Sequence, residues 1–202
     1  MTKINKELIR EVISISQKAG VAILDIYNQS DIEVDLKADQ SPITQADIAS
    51  HNIIVNNLRN LTPEIPILSE ESSNVEFHER SEWELYWLID PLDGTKDFIQ
   101  GTGNYAMHLA LNYEQKALIG VVLIPEKNEL WISNGEKLWC EKRDGSQVEK
   151  YLSKNKKINE MTIVTSKNHG NETLKRLIKK LNFKNVIVMG SIGCKIASIL
   201  RG

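Results

Sequence analysis

The residues best able to do chemistry lie in one stretch, Trp87-Leu88-Ile89-Asp90-Pro91-Leu92-Asp93-Gly94-Thr95-Lys96-Asp97-Phe98. Asp90 closes an apolar run that reads as a buried strand, and Pro91 biases the chain there away from helical geometry. Ligands of α/β proteins meet the chain at such strand ends. Gly94 permits close backbone approach, and Thr95 is a good cap for a short helix. A helix start offers free N–H groups and a positive dipole end, so it suits a phosphate. Two carboxylates beside that cradle are hard oxygen donors of the kind Mg²⁺ takes, with water completing its shell. The same residues also describe a plain capped turn, because Asp and Gly are ordinary turn formers. A second acidic pair, Glu70-Glu71, ends another apolar run at Ile67-Leu68. Alone it reads as a solvated edge. If the two strands are neighbours, three or four carboxylates surround one point, a repulsion tolerated mainly when cations neutralise it.

Other candidates read more simply. His51, His78, His108 and His169 are scattered and show no zinc spacing. Gly101-Thr102-Gly103 lacks the third glycine of a dinucleotide loop and reads as a turn. Lys175, Arg176, Lys179 and Lys180 form the wet face of a helix, and Trp83, Trp87, Trp131 and Trp139 read as packing residues. Ser69 and Ser166 carry no acyl-transfer signature. Cys140 and Cys194 are too few for a disulfide framework or zinc site and read as reduced thiols. A haloacid-dehalogenase phosphatase needs its two Asp residues at a closer spacing than Asp90 and Asp93.

The elements that must position these residues alternate along the chain. Leu8, Val12, Ile15, Ala19, Ala22, Ile23 and Ile26 recur at helical spacing, giving a helix that ends near Asn28. Residues 32–37 alternate as a strand, broken by Ser41-Pro42. Thr44 is an N-cap for a second helix, with Asp47 placed to reach back to it. Polar residues 72–81 form a loop. Beyond residue 104 the texture is β-rich, with strands over 105–112, 118–124, 129–133 and 137–142. Strand 161–165, helix 172–181, strand 185–189 and a helix opening at Gly190-Ser191 follow. This pattern predicts layered α/β architecture with mixed sheets.

Composition agrees with a folded, unexceptional domain. The 202 residues are 41% hydrophobic and 26% charged, with a net charge of −2, so extensive disorder is excluded and no global basic field exists to hold a nucleic-acid polymer. No run is long and apolar enough to span a membrane, and the charged start lacks a signal-peptide core. A cytoplasmic protein is expected, with a homodimer left open.

Three ordered signatures resemble the inositol monophosphatase superfamily: Ser41-Pro42-Ile43-Thr44-Gln45-Ala46-Asp47, Leu68-Ser69-Glu70-Glu71-Ser72, and Asp90-Pro91-Leu92-Asp93-Gly94-Thr95-Lys96-Asp97-Phe98. The resemblance implies an αβαβα sandwich, Mg²⁺-dependent phosphomonoester hydrolysis with two or three ions, and inhibition by lithium. It implies that Glu70, Asp90 and the Leu92 carbonyl bind a first ion, with Asp90 bridging to a second that Asp93 also holds. Asp47 and Thr95 would activate water, the Gly94 and Thr95 amides would hold phosphate, and Glu71 would orient metal-bound water.

An acid at position 97 and the segment Gly190-Ser191-Ile192-Gly193-Cys194-Lys195 are similar to the 3′(2′),5′-bisphosphate nucleotidases. That resemblance implies 3′-phosphoadenosine 5′-phosphate as substrate, with Gly190, Ser191 and Lys195 holding the second phosphate. An inositol or sugar monophosphatase, or a non-catalytic phosphate binder, is the alternative. The family usually continues beyond the position of Gly202 with a strand and a Trp-Asp signature. The expectation is therefore one domain over residues 1–202, truncated at its C-terminus, with an α+β part over 1–145 and the start of an α/β part over 146–202.

Overall fold

A computed structural model of the chain describes residues 5–29, 32–72, 75–150, 157–167 and 170–202. His169 lies outside these residues. Helix α1 (Lys6–Tyr27) begins at Asn5, whose side chain accepts the Leu8 amide at 2.7 Å. The heptad-like apolar stripe from Leu8 to Ile23 is buried. A small antiparallel hairpin of β1 (Val34–Leu36) and β2 (Pro42–Thr44) leads into α2 (Gln45–Leu61). Next come β3 (Ile67–Ser69), α3 (Phe77–Arg80), β4 (Leu85–Asp93) and the short α4 (Thr95–Ile99). Strands β5 (Ala106–Tyr113), β6 (Lys116–Ile124), β7 (Glu129–Ser133), β8 (Leu138–Glu141) and β9 (Gln147–Glu149) follow. The remainder is β10 (Thr162–Ser166), α5 (Glu172–Leu181), β11 (Asn185–Met189) and α6 (Ile192–Arg201).

Strands β3 to β9 form a seven-stranded sheet in chain order, parallel only between β3 and β4. Helices α1 and α2 cover one face over the main core, which centres on Trp87, Phe98, Tyr105, Leu109 and Ile119. On the other face α6 packs against β5 and β6 through Cys194 and Ala197, beside Ala106 and Trp131. Helix α6 also meets β10 of the parallel pair β10–β11, which α5 connects. This is the expected layered α/β fold. Cys140 and Cys194 are free and buried.

Four details depart from the sequence reading. Pro42, expected only to break a strand, opens β2, which pairs back on β1. The polar loop contains a helical turn, α3, and β9 was not foreseen because its three residues are all exposed and give no apolar signal. The strand expected to close at Asp90 runs on to Asp93 through Pro91. It can do so because a bulge between Asp90 and Asp93 relaxes the ladder where proline has no N–H to give.

Two anchors set the parts that matter for the site. Tyr27, Phe98 and Tyr105 form a ring cluster with centroids 4.9–5.2 Å apart, tying α4 to α1 and β5. At the far end of α6, Arg201 donates to Glu129 on β7 at 2.6 and 2.9 Å, and Trp131 adds a bond at 3.1 Å. Burial would push the Glu129 carboxyl up, but Arg201, Trp131 and Lys142 hold it below the usual glutamate range. A depressed folded pKa stabilises above the unfolded value and is lost as pH falls through the folded one. Arg201→Ala is therefore expected to cost roughly 1–3 kcal/mol at pH 7 in urea unfolding. The deficit against the unsubstituted protein should shrink as the pH falls below the ordinary glutamate range and Glu129 protonates.

Candidate active site

Parallel pairing of β3 with β4 places Ser69 opposite Ile89, so Glu70 and Asp90 fall side by side where that pairing stops. The bulge then re-aims the chain: Asp90 stands opposite His108, and Asp93 opposite Ala106. Asp90 Oδ1 accepts the Leu92 amide at 3.2 Å, and the buried Ser50 hydroxyl holds the Pro91 carbonyl at 2.9 Å. Gly94 closes the turn at φ 93°, ψ 35°, a left-handed conformation. A Cβ there would lie 2.9 Å from the Asn104 carbonyl oxygen, so glycine is required twice over.

Asp47 sits in the first turn of α2, almost fully buried. Its Oδ2 accepts the Thr44 amide at 2.8 Å and the Thr44 hydroxyl at 2.6 Å, the capping box that the spacing predicts. Its Oδ1 faces the other way and accepts the Thr95 hydroxyl at 3.2 Å. Two residues 48 apart in sequence are thus within hydrogen-bond reach. Burial raises the Asp47 carboxyl above the ordinary aspartate value, despite the opposing bonds from Thr44 and Thr95. That makes it a better base than a solvated aspartate.

The neighbouring carboxylates repel. Asp90 is pushed up to about 7, first by burial and then by the Glu70 charge, with Asp93 adding to it. Lys37, read from sequence only as the end of a strand, inserts its ammonium between Glu70 at 2.9 Å and Glu71 at 2.7 Å. The donor set of Glu70, Asp90 and Asp93 is all oxygen, with an uncompensated charge at Asp90, and this fits a hard divalent cation. Among the described residues no three such side chains yet close on one point.

Asp93 behaves differently. Burial favours its neutral form, but contacts from His108, Ser191 and Gly193 hold its carboxyl below the usual range. His108 is therefore not remote, as its scatter in the sequence suggests. Of the others, His51 Nδ1 pairs with the buried Ser69 Oγ at 2.8 Å, joining α2 to β3, and His78 lies on α3.

A cavity of about 540 Å³ opens over this cluster, lined by Glu70, Asp93, Gly94, Thr95, Gly190 and Lys195 among others. No side chain caps α4, whose first residues Thr95 and Lys96 face this space with Gly94. Gly190 abuts the carboxylate of the buried Asp97, and a Cβ on it would fall 1.9 Å from Asp97 Oδ2. Thr102 donates to Asp97 Oδ1 at 2.8 Å, with Lys167 Nζ at 3.7 Å. Lys195 reaches back to the Gly190 carbonyl at 3.3 Å.

At the start of α6, where a second phosphate is expected to bind, two backbone amides already have partners within the chain. The Gly193 amide is given to Asp93, and the Cys194 amide to Ser191 Oγ at 3.1 Å. Of the residues expected to hold a second phosphate, Lys195 keeps a cation at the cavity, whereas Ser191 is committed to Asp93. A larger groove of about 670 Å³ lies along the sheet beside α6; Glu70, Asp90, His108 and Arg80 line part of it, and the rest is walled mainly by aliphatic side chains and Trp131.

With this geometry in view, comparison with known proteins is specific. The inositol monophosphatase family model matches residues 4–202. The 3′(2′),5′-bisphosphate nucleotidase CysQ of Escherichia coli O6:H1 is 36% identical over 188 residues, covering 91% of this chain and 73% of that protein. The crystal structure of CysQ from Bacteroides thetaiotaomicron, a bacterial member of the inositol monophosphatase family, superposes with a TM-score of 0.79 at 29% identity, covering 98% of this chain and 75% of that one. An IMPase/NADP phosphatase solved with Mg²⁺ and phosphate shares the fold at a TM-score of 0.76 and 19% identity, over 94% of this chain and 69% of that one. The chain belongs to the inositol monophosphatase family.

Proposed function

We propose that this chain is a cytoplasmic, Mg²⁺-dependent 3′(2′),5′-bisphosphate nucleotidase that hydrolyses 3′-phosphoadenosine 5′-phosphate to AMP and phosphate. The observation that carries the reading is the Thr95–Asp47 contact at 3.2 Å, set beside the acidic ends of β3 and β4. Glu70, Asp90, Asp93 and the Leu92 carbonyl would hold two or three Mg²⁺, and Glu71 would orient their water. Bound Mg²⁺ supplies charge compensation for the phosphate and a lowered pKa for water. The protein's own part is proton handling and orientation. The Thr95 hydroxyl has one proton and lies 3.2 Å from both Asp47 Oδ1 and the Leu92 carbonyl. Turned to Asp47, it keeps lone pairs to accept from an attacking water, so a proton leaving that water has a buried, elevated carboxylate to reach. The Gly94 and Thr95 amides orient the phosphoryl group at the start of α4. Lys195 offers the charge for a 5′-phosphate, and the likeness to CysQ proteins supports nucleotide over inositol.

The test is a panel of phosphomonoesters with purified protein. Hydrolysis of the 3′,5′-bisphosphate should exceed that of inositol monophosphate, vanish in EDTA and return with Mg²⁺. Faster turnover of inositol monophosphate would replace this reading with that of an inositol phosphatase.

Two substitutions probe the parts separately. Asp47→Asn and Thr95→Ala should each lower kcat by about 10²–10⁴-fold, and the double variant should lose little more than the worse single one, because both act on one proton. Lys195→Ala should raise KM for the bisphosphate by about tenfold, the scale of one lost charge-assisted contact, and leave a simple monophosphate unchanged. Equal losses on both substrates would mean that Lys195 supports the fold.

A further inference from the structure

Every hydrogen bond that the described residues make to the Asp93 carboxylate falls on one oxygen. Oδ2 accepts the Ser191 hydroxyl at 2.5 Å and the Gly193 amide at 2.9 Å, and His108 Nε2 stands 3.4 Å from the same atom without a hydrogen-bond partner of its own. The hydroxyl of Ser191 has a single proton, which goes to Asp93, while it accepts the Cys194 amide. It has no donor left for a phosphate. Ser191 also holds φ 46° and ψ 129°, a backbone that an L-residue adopts only where its surroundings over-determine it. Those surroundings are visible. A Cβ on Gly193 would come within 2.4 Å of His108 Nε2 and 2.5 Å of the Ala106 side chain, so the start of α6 is pressed directly onto β5. At its other end Arg201 pins the helix to Glu129.

We infer that Ser191, with the Gly193 amide, is a positioning residue for Asp93: the pair fixes the carboxylate through Oδ2 and so presents Oδ1 to the divalent cation in the cavity. The cation affinity of the acidic cluster is then set by a segment 98 residues downstream. The inference rests on the reading above that Asp93 is a cation ligand. Partners that orient metal ligands in this way are typically worth 10- to 100-fold in metal affinity.

The experiment is Mn²⁺ binding by electron paramagnetic resonance on the substrate-free full chain, with Ser191→Ala, Ser191→Gly and Asp93→Asn. Ser191→Gly removes the hydroxyl while relieving the backbone, and glycine remains an acceptable N-cap, so it separates orientation of Asp93 from support of the helix. Both Ser191 variants should bind Mn²⁺ about 10- to 100-fold more weakly. In turnover their Mg²⁺ requirement should rise, with KM for the phosphate substrate unchanged at saturating Mg²⁺. Folded Ser191 variants with unaltered Mn²⁺ affinity, beside a weakened Asp93→Asn, would overturn the inference alone. A raised substrate KM with unaltered Mn²⁺ affinity would make Ser191 a substrate contact and overturn it as well. Unaltered binding by Asp93→Asn would remove Asp93 from the ligand set, and the inference would fall with it.

Discussion

Parallel strands in a sheet run about 4.8 Å apart, and here the pairing of two such neighbours stops at a pair of carboxylates. Glu70 follows the last residue of β3, and Asp90 follows its register partner on β4. Like charges at that separation in a half-buried position are unfavourable, and Asp90 rises to about 7 through burial first and the Glu70 charge second. Much of the surrounding structure answers this constraint. Lys37 neutralises the Glu70–Glu71 side from the β1–β2 hairpin, the bulge turns Asp93 away from Asp90, and the first residues of α6 take up one oxygen of Asp93. What stays uncompensated is Asp90 at the centre, the place where an added cation gains most.

The three aspartates of the site share a side chain and differ only in environment. Asp47 and Asp90 are raised by burial, the first with hydroxyl partners and the second with other carboxylates beside it. Asp93 is also partly removed from water yet lowered, because donors converge on it. Environments that separate the proton affinities of neighbouring acids also separate their roles. A raised, hydrogen-bonded Asp47 suits accepting a proton, whereas an ionised Asp93 suits holding a cation.

Local order was the legible part of the chain. The capping box at Thr44 and Asp47, the helix at 172–181 and the strand at 185–189 follow from short-range spacing, and the structure has them at those positions. The meeting of Glu70 with Asp90 could be stated only as a condition on strand adjacency, since nothing local specifies which strands pair. Lys37, His108 and Ser191 were missed in their actual surroundings for the same reason. Each acts on a residue far away in sequence, and each looks unremarkable among its neighbours: a strand-end lysine, an isolated histidine, a helix cap. Asp97 is the mirror case. Its type could be noticed, but its burial against Gly190 is a fact of packing between α4 and the segment before α6.

The site therefore lies on a seam. One side is the main sheet with α1 and α2, where Trp87, Phe98 and Tyr105 are wholly buried. The other side is lightly packed: β1 is exposed along its length, and Val188 on β11 is 60% exposed. Elements with little buried apolar area open at low free-energy cost. Polar side chains cross the seam at the acidic cluster and its border, Lys37 to Glu70 and Glu71, Ser191 to Asp93, and Lys167 towards Asp97. Cys194 and Ala197 cross it as apolar contacts, and Arg201 as the partner of Glu129. At the β1–β2 hairpin, charge neutralisation at the carboxylates and attachment of the element meet in one side chain, Lys37. A ligand that alters the charge of the cluster therefore bears on how firmly the exposed β1–β2 hairpin is held through Lys37, whereas α6 and Met189 of β11 keep their apolar contact through Cys194 and Ala197.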